Sequence, residues 1–325
     1  MRRRHILALL AGLPATSRSL AQTRGRIPVV GFLGLASEQA DRPLLDAFRQ
    51  GLKEHRHVEG QTILLETRHA NGDLGLAARF LEEMVRRPVD VFVAPGPAIA
   101  RAIHRATHIP MVALGLPPIA GDLFVSLAKP GGSVTGFSYF GEALSAKRIE
   151  ALREILPKSS VLGILHNVTD PMFREWGAQT EATARAQGFL PVRLGLRSSS
   201  SAEVTELFRS LRSQGGDAVM VISDFLTVSL KDEIIRISAE LGIAVVAEWP
   251  AFVQSGALMF YGADIPDLFR QAAGYVDRIV GGEPAGNLPI QLATRFWLII
   301  NLKTARMLNI TVPPSLLARA DEVIE

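Results

Sequence analysis

The amino-acid sequence predicts an α/β protein of two Rossmann-like lobes, each with a parallel sheet covered by helices. Short apolar runs of strand length alternate with amphipathic runs of helix length over nearly the whole chain. This alternation is interrupted once, midway, by Lys129–Phe140 (KPGGSVTGFSYF), and then begins again. The chain has 325 residues, of which 48% are hydrophobic, so it is long enough for two cores.

The first unit has the order β-α-β-α-β-α-β, which is typical of a parallel sheet with helices on both faces. Its strands are predicted at IPVVGFLG, TILLET, VDVFVAPG and IPMVALG. Its helices are predicted at Arg42–Glu54, from Asp73 to Arg87, and at Ala98–Arg105. The apolar residues of these helices recur on one face, as expected for helices that pack on a sheet.

The second unit begins with a helix and repeats the pattern. Its strands are predicted at VLGILHN, FLPVRLGL, DAVMVIS and IAVVAEW, and Pro191 indicates that the second of these lies at an edge. Its helices are predicted at Glu142–Leu156, Pro171–Gln187, Ser201–Ser213 and Leu230–Leu241. A further strand (ALMFYG), a helix at Asp264–Val280, a crossing segment (GNLPIQ) and a last helix at Trp297–Leu308 follow.

We expect the two lobes to be joined by a hinge of several strands. The first lobe is predicted to comprise residues 27–135 plus about 258–284, and the second lobe residues 136–257 plus about 285–325. The Pro-Gly-Gly of the middle stretch is expected to end the first lobe. Gly136 is predicted to be the hinge residue, because glycine absorbs the backbone rotation of domain closure at no steric cost.

The N-terminus predicts export. Residues 1–21 combine a basic start (MRRRH), a short apolar run (ILALLAGL) and a small-residue cleavage site (SLA), so they are interpreted as a signal peptide. The Sec route is expected, and Arg3-Arg4 also permits the twin-arginine route. Without a cysteine the chain cannot be a lipoprotein, so we expect a periplasmic protein with no membrane span in the mature chain.

Charge and composition exclude several classes of function. Four of the 35 basic residues lie in the signal peptide, which leaves 31 against 32 acidic residues and no basic cluster, so nucleic acid is not expected as a partner. The absence of cysteine excludes disulfides, thiol catalysis and zinc–thiolate sites. His104 and His108 have helical spacing but no third ligand nearby in the sequence, so we expect a surface pair, no metal and no cofactor.

Several stretches together resemble the family of ABC-transporter substrate-binding proteins that includes tryptophan- and phenylalanine-binding members. The stretches are IPVVGFLG, SLAKPGGSVTGFS, AKRIEALREILP, SGALMFYGADI, GGEPAGNLPIQ and NLKTARMLNITVPPSLLARADEVIE. The resemblance runs from the leader to the last residue. It implies a type I periplasmic-binding (Venus-flytrap) fold that closes over a small solute and delivers it to a permease and an ATPase, which are separate chains. We expect a monomer.

Turns that follow strands supply the candidate ligand-binding residues, because parallel sheets bind ligands at the carboxyl ends of their strands. In the first lobe and crossing they are Ser37, Glu38, Pro95, Gly96, Pro97, Leu116, Pro117, Ser138, Tyr139 and Phe140. In the second lobe they are Asn167, Asp170, Asp224, Phe225, Glu248, Trp249, Tyr261 and Asp264.

Each candidate also has a structural interpretation. The turns can be ordinary turns, and the aromatic residues can be core. Asp224 and Asp264, which match acidic positions of the family, suit a ligand ammonium but can also cap helices. Many family members have an acidic residue where this chain has Pro117, which widens the expected range of ligands beyond aromatic amino acids.

The sequence predicts a binding protein and not an enzyme. It lacks the phosphate-binding G-x-x-x-x-G-K-[ST] and G-x-G-x-x-G patterns and the G-x-S-x-G nucleophile turn. The favoured function is capture of a small polar or amino-acid-like solute for import. A periplasmic sensor subunit that docks on a signalling receptor remains an alternative. A periplasmic hydrolase or isomerase is a weaker alternative, because no converging nucleophile and base are apparent.

Overall fold

A computed structural model describes residues 26–116, 121–139 and 142–325 of the chain. The predicted signal peptide and the candidates Pro117 and Phe140 lie outside the described residues. Within the described part, two α/β lobes each contain one sheet, as the sequence predicts.

The first lobe contains a six-stranded parallel sheet with the order β11-β5-β4-β3-β1-β2. Its elements from the first pass of the chain are β1 (Val29–Gly34), α1 (Glu38–Glu54), β2 (Leu64–His69), α2 (Leu74–Val85), β3 (Val91–Pro95), α3 (Pro97–Ala106), β4 (Met111–Leu114) and β5 (Val134–Ser138). A buried apolar cluster lies on each face of the sheet. This explains why its central strands are apolar throughout and do not alternate.

The second lobe contains a seven-stranded sheet with the order β13-β12-β10-β9-β8-β6-β7. Its elements up to the second crossing are α4 (Glu142–Ile155), β6 (Val161–Asn167), α5 (Pro171–Ala186), β7 (Leu190–Leu196), α6 (Ser201–Ser213), β8 (Ala218–Val221), α7 (Phe225–Ser229), α8 (Lys231–Leu241), β9 (Ala244–Ala247), α9 (Pro250–Ser255) and β10 (Met259–Ala263). The strand that contains Pro191 lies at the edge, as predicted, because proline cannot donate to a neighbour.

The chain then returns to the first lobe and leaves it again. The elements that return to the first lobe are α10 (Ile265–Val280), a 3-10 turn (Ala285–Asn287) and β11 (Gln291–Leu292). The last elements lie in the second lobe and are β12 (Phe296–Asn301), α11 (Leu302–Met307), α12 (Pro314–Leu317) and β13 (Glu322–Ile324). Helix α10 packs along α1 and contributes a long buried face to the first core. Strand β12 runs antiparallel to β10, because the chain re-enters from the opposite end.

Three crossings therefore join the lobes, and they lie side by side. The amide of Ala293 donates to the carbonyl of Ser138 over 2.8 Å, which links the third crossing to the first. The amide of Asp264 donates to the carbonyl of Arg295 over 3.1 Å, which links the second to the third. Within the described residues, the chain thus passes between the lobes after Ser138, at Ala263–Asp264 and between Ala293 and Phe296.

The strand pairing corrects two of the predicted lobe boundaries. Strand β10 lies within the range 258–284 assigned to the first lobe, yet it pairs with β9 and β12 of the second sheet. Strand β11 lies in the range assigned to the second lobe, yet it pairs with β5 of the first sheet. The apolar sequence of β10 shows no preference for either sheet, because both sheets have buried apolar strands. Strand β11 has only two residues, which are too few to indicate a partner.

Gly136 lies in a different place from that predicted. It is the middle residue of β5, paired in register with Ala113 of β4, and the crossing begins only after Ser138. Its φ of +144° and a hypothetical Cβ at 1.8 Å from the Ala113 carbonyl oxygen give a separate reason for glycine at this position. The close approach of the β4 and β5 backbones is therefore sufficient to require this glycine.

The predicted helix Trp297–Leu308 is wrong in its first half. Residues Phe296–Asn301 form β12, and a helix begins only at Leu302. The run Phe-Trp-Leu-Ile-Ile is rich in aromatic and β-branched residues, which favour a strand where a partner such as β10 is available.

Candidate functional site

The carboxyl ends of the strands of both sheets lie where the lobes meet, and the lobes contact each other there. Phe225, which follows β8, packs against apolar clusters of both lobes. Trp249, which follows β9, also packs against clusters of both lobes. Arg101 of α3 reaches the second lobe, with its Nη2 3.5 Å from Met172 Sδ and its Nη1 3.9 Å from Asp170 Oδ2.

A buried ion pair lies at this edge of the second sheet. Arg148 of α4 donates from Nη1 to Glu248 Oε1 over 2.6 Å and from Nε to the Tyr261 carbonyl over 2.6 Å. Both charged side chains are 4% exposed. The second carboxylate oxygen of Glu248 accepts from the amide of Ser223 over 3.3 Å. One ion pair thus links α4, the end of β10 and the turns after β8 and β9.

Tyr139 connects this ion pair to the first lobe. A Cβ on Gly115, whose φ is +79°, would lie 2.4 Å from the Tyr139 hydroxyl, so the hydroxyl rests against the Gly115 backbone. Burial, and next the negative charge of Glu248, raise the pKa of Tyr139 well above its usual range. The phenol therefore remains protonated and stands between the two lobes on the first crossing.

A second acidic group, Asp224, lies beside the ion pair along the chain. Its Oδ2 accepts from Asn167 Nδ2 over 2.6 Å, and its Oδ1 accepts from the amide of Thr227 over 2.9 Å. Burial raises the pKa of Asp224 above its ordinary value of 3.8, and these hydrogen bonds oppose that rise. Among the described residues, no cationic side chain contributes to the environment of Asp224, whose partners are Asn167 and the turn at Thr227.

Two serine hydroxyls at this edge lack partners. Ser138 ends β5 and is 1% exposed, and Ser223 follows β8. Neither Oγ atom makes a hydrogen bond within the part of the chain that the structure describes. Because buried hydroxyls usually find a partner, each is a candidate donor or acceptor for a bound ligand.

The structure brings some of the predicted residues together and separates others. Tyr139, Glu248 and the carbonyl of Tyr261 share the ion-pair cluster, Asn167 binds Asp224, and Leu116 belongs to a cluster on which Phe225 packs. Ser37 and Glu38 are exposed at the start of α1, where Ser37 caps the helix. Pro95, Gly96 and Pro97 form the turn from β3 to α3.

Helix capping accounts for three of the acidic candidates. Asp170 caps α5, Asp264 caps α10, and Asp224 forms a capping box with Thr227 at α7. Asp264 also lies 3.6 Å from Arg295 across two crossings. Asp264 thus links the second and third crossings, whereas Asp224 both caps α7 and is buried next to Ser223, whose amide bonds Glu248.

Sequence reasoning missed three polar residues of this region, Arg101, Arg148 and Ser223. Arg148 could have been found from the sequence, because it lies four residues from each of the buried residues Leu144 and Leu152 in the helical stretch LSAKRIEALREILP. A charged residue on the apolar face of a helix requires a buried partner. Ser223 and Arg101 have no such signal, because their burial depends on how the lobes meet.

Among the described residues, no group of three or more His, Asp or Glu side chains is arranged to hold a metal ion. No helix in that part of the chain has the length and apolarity to cross a membrane. The sequence predicts that His104 lies on the surface. Its Nδ1 atom is buried, however, and makes no hydrogen bond among the described residues, so the side chain is only partly exposed.

Comparison with known proteins gives consistent matches. A family model described as ABC transporter substrate binding protein matches residues 30–324. The tyrosine-binding protein of Clostridioides difficile strain R20291 is 26% identical over 280 residues, which are 84% of this chain and 79% of that protein.

Two solved structures share the fold. The ABC domain in complex with L-Trp from Streptococcus pneumonia has a TM-score of 0.84 at 22% identity, over 92% of this chain and 100% of that chain. The ligand-free, open structure of a substrate-binding protein with adhesive properties from Clostridium difficile has a TM-score of 0.68 at 24% identity, over 92% of this chain and 99% of that chain.

Proposed function

The chain belongs to the family of ABC transporter substrate-binding proteins, and from this premise we propose that it binds a free amino acid between its two lobes. It then delivers this ligand, without chemical change, to a permease and an ATPase on separate chains. The predicted signal peptide supports a place in the periplasm. The contacts of Arg101, Phe225 and Trp249 across the lobes support a closed conformation.

The ligand class is inferred from the buried carboxylate of Asp224, which has no cationic partner in the part of the chain that the structure describes. A desolvated, uncompensated charge is unfavourable, and a ligand ammonium removes this cost through a charge-assisted hydrogen bond. The carboxylate retains a lone pair for this bond, because its two oxygens have about four acceptor sites in total. The names of two relatives, which bind tyrosine and L-Trp, support an amino acid. Ser138 and Ser223 supply further polar contacts in this proposal.

A thermal-denaturation screen of the twenty L-amino acids tests the proposal. A ligand that binds the folded state at a concentration of 100 times its Kd stabilises it by about 2.7 kcal/mol, so a clear rise in Tm is expected for one chemical class. Isothermal titration with the best amino acid then gives the Kd. If none of the twenty raises the Tm of protein freed of co-purified ligand, the proposed ligand class is wrong.

The affinity should depend on the ionisation of Asp224. A ligand ammonium requires the carboxylate, so we expect the affinity to fall as the pH decreases through the raised pKa of Asp224, which lies above 3.8. The Asp224→Asn variant should bind about 10- to 100-fold more weakly at neutral pH and should lose this pH dependence. Isothermal titration at several pH values with the amino acid from the screen measures both effects.

Asp73→Asn is a matched control for this experiment. Asp73 caps α2 through its side chain in the same way, but it is exposed. The control variant should retain the wild-type affinity and pH dependence. An Asp224→Asn variant that is folded and still binds with the wild-type pH dependence would exclude Asp224 as the ammonium partner.

A further inference from the structure

Arg101 connects the two lobes through its guanidinium. It lies in α3 of the first lobe, and its partners Asp170 and Met172 lie at the start of α5 in the second lobe. Its Nη1 is 3.9 Å from Asp170 Oδ2, and its Nη2 is 3.5 Å from Met172 Sδ. The side chains of Arg101 and Asp170 are 18% and 28% exposed. Because water and salt screen a partly buried pair less than an exposed one, this attraction favours the arrangement in which the lobes touch.

Both members of this pair are held in place by their own lobes. Within the first lobe, Arg101 donates from Nε to Asp122 Oδ2 over 3.0 Å. Within the second lobe, Asp170 caps α5 by accepting from the amide of Met172 at Oδ1 over 2.8 Å, and its other oxygen is the one that faces Arg101. Neither bond crosses between the lobes. Groups that are preorganised in this way lose little side-chain freedom when the lobes come together.

Apolar contacts between the lobes involve the same parts of the molecule. Phe225 of the second lobe packs against a first-lobe cluster that includes Ile99, Ala100 and Ile103 of α3, the helix that contains Arg101. Met172 is 8% exposed and belongs to the core of the second lobe. An opening motion that separates α3 from α5 therefore breaks the contacts of Arg101 with the second lobe but leaves its bond to Asp122.

From this geometry we propose that Arg101 is a latch between the lobes: it stabilises the closed arrangement through Asp170 and Met172 and thereby slows the release of a bound ligand. The latch joins groups of the protein only, so it also holds a share of the ligand-free molecules closed. It sets how long a ligand is retained and not which ligand is chosen, which goes beyond the proposed function. If Arg101 served only to hold Asp122, its loss would leave the balance of open and closed molecules unchanged.

Single-molecule energy transfer between dyes on the two lobes measures this balance. The chain has no cysteine, so dyes can be attached selectively at Glu83→Cys in α2 and Ser213→Cys in α6, two exposed positions in different lobes. In the ligand-free protein, Arg101→Gln should lower the ratio of closed to open molecules about 2- to 5-fold, as expected for the loss of one partly exposed ion pair. Stopped-flow dissociation of the best amino acid from the screen should be faster by about the same factor.

Two further variants test the assignment of the partners. Arg105→Gln is the matched control, because it removes the same charge from an exposed position of the same helix, and it should leave both measurements unchanged. Asp170→Asn removes the charge that faces Arg101 but preserves the cap of α5, because asparagine caps helices as well as aspartate does. It should resemble Arg101→Gln. Since both substitutions remove the same interaction, the double variant should be no more open than either single variant.

Several results overturn the inference and leave the proposed function intact. They are a ratio of closed to open molecules in Arg101→Gln equal to that of the wild type, an equal change in Arg105→Gln, and a ligand-free wild type without detectable closed molecules. Additive effects of Arg101→Gln and Asp170→Asn also contradict it, because the two residues would then act separately. Failure of all twenty amino acids to bind overturns the proposed function alone, and the ratio in the ligand-free protein then decides the inference.

Discussion

The Glu248→Gln variant is expected to lower the free energy of unfolding by about 3–5 kcal/mol, because it leaves the charge of Arg148 buried without a counter-charge. The two side chains are 4% exposed and their charged atoms lie 2.6 Å apart. Glutamine has the same shape as glutamate, so the loss reports the charge and not a cavity. Urea unfolding measures it directly.

Tryptophan fluorescence suits this measurement, because the three tryptophans of the chain all belong to the second lobe, in α5, at Trp249 and in β12. The matched control is Glu154→Gln. Glu154 pairs with Arg319 over the same distance of 2.6 Å, but these side chains are 33% and 56% exposed. Because water screens exposed pairs, the control should cost less than about 1 kcal/mol. Equal losses in the two variants would show that burial does not set the strength of the pair at Glu248.

The Gly136→Val variant is expected to destabilise the first lobe by at least about 4 kcal/mol, which is unusually large for one substitution. Two costs add. A β-branched residue is strained at a φ of +144°, and its Cβ would lie 1.8 Å from the carbonyl oxygen of Ala113, which cannot move without breaking the β4–β5 pairing. A role in the hinge alone, as the sequence predicts for Gly136, would instead alter closure and leave stability unchanged.

Two probes distinguish the lobes in this experiment. Since the tryptophans lie in the second lobe, far-ultraviolet circular dichroism should show loss of the first lobe at a lower urea concentration than tryptophan fluorescence does. Gly121→Ala is the control, because a Cβ on Gly121 meets no atom within 4 Å and its φ is not in the left-handed region. A Gly136→Val protein with wild-type stability and altered closure kinetics would restore Gly136 to the hinge.

Most of the secondary structure was predictable because local patterns determine it. Caps such as Asp73 and Asp170 mark the starts of helices, and the apolar runs of β1, β3, β4, β6, β8 and β9 could only be buried strands. The errors lie where a segment depends on a distant partner. Phe296–Asn301 is a strand because β10 is beside it, and the short strand β11 belongs to the first sheet because the chain returns there.

The candidate site was predictable only in part, for a related reason. Residues that follow strands at the carboxyl edge can be counted along the chain, and Tyr139, Asn167, Asp224 and Glu248 were found in this way. Arg148 lies inside α4 and reaches the same edge of the sheet from a helix. It therefore cannot be found by listing the residues that follow strands. Ser223 and Arg101 become notable only through the partners that they lack or have.

By itself the sequence determined that this chain forms two α/β lobes and that it resembles solute-binding proteins. The hydrophobic periodicity and the order of the motifs are local properties that can be read directly along the chain. Only the tertiary structure decided which strands belong to which lobe, that Gly136 is a sheet residue, and that Arg148, Glu248 and Tyr139 meet beside Asp224. Some of these relations join distant segments, such as Arg148 and Glu248, which are 100 residues apart. Their energies come from burial and from charge pairing, which no single segment contains.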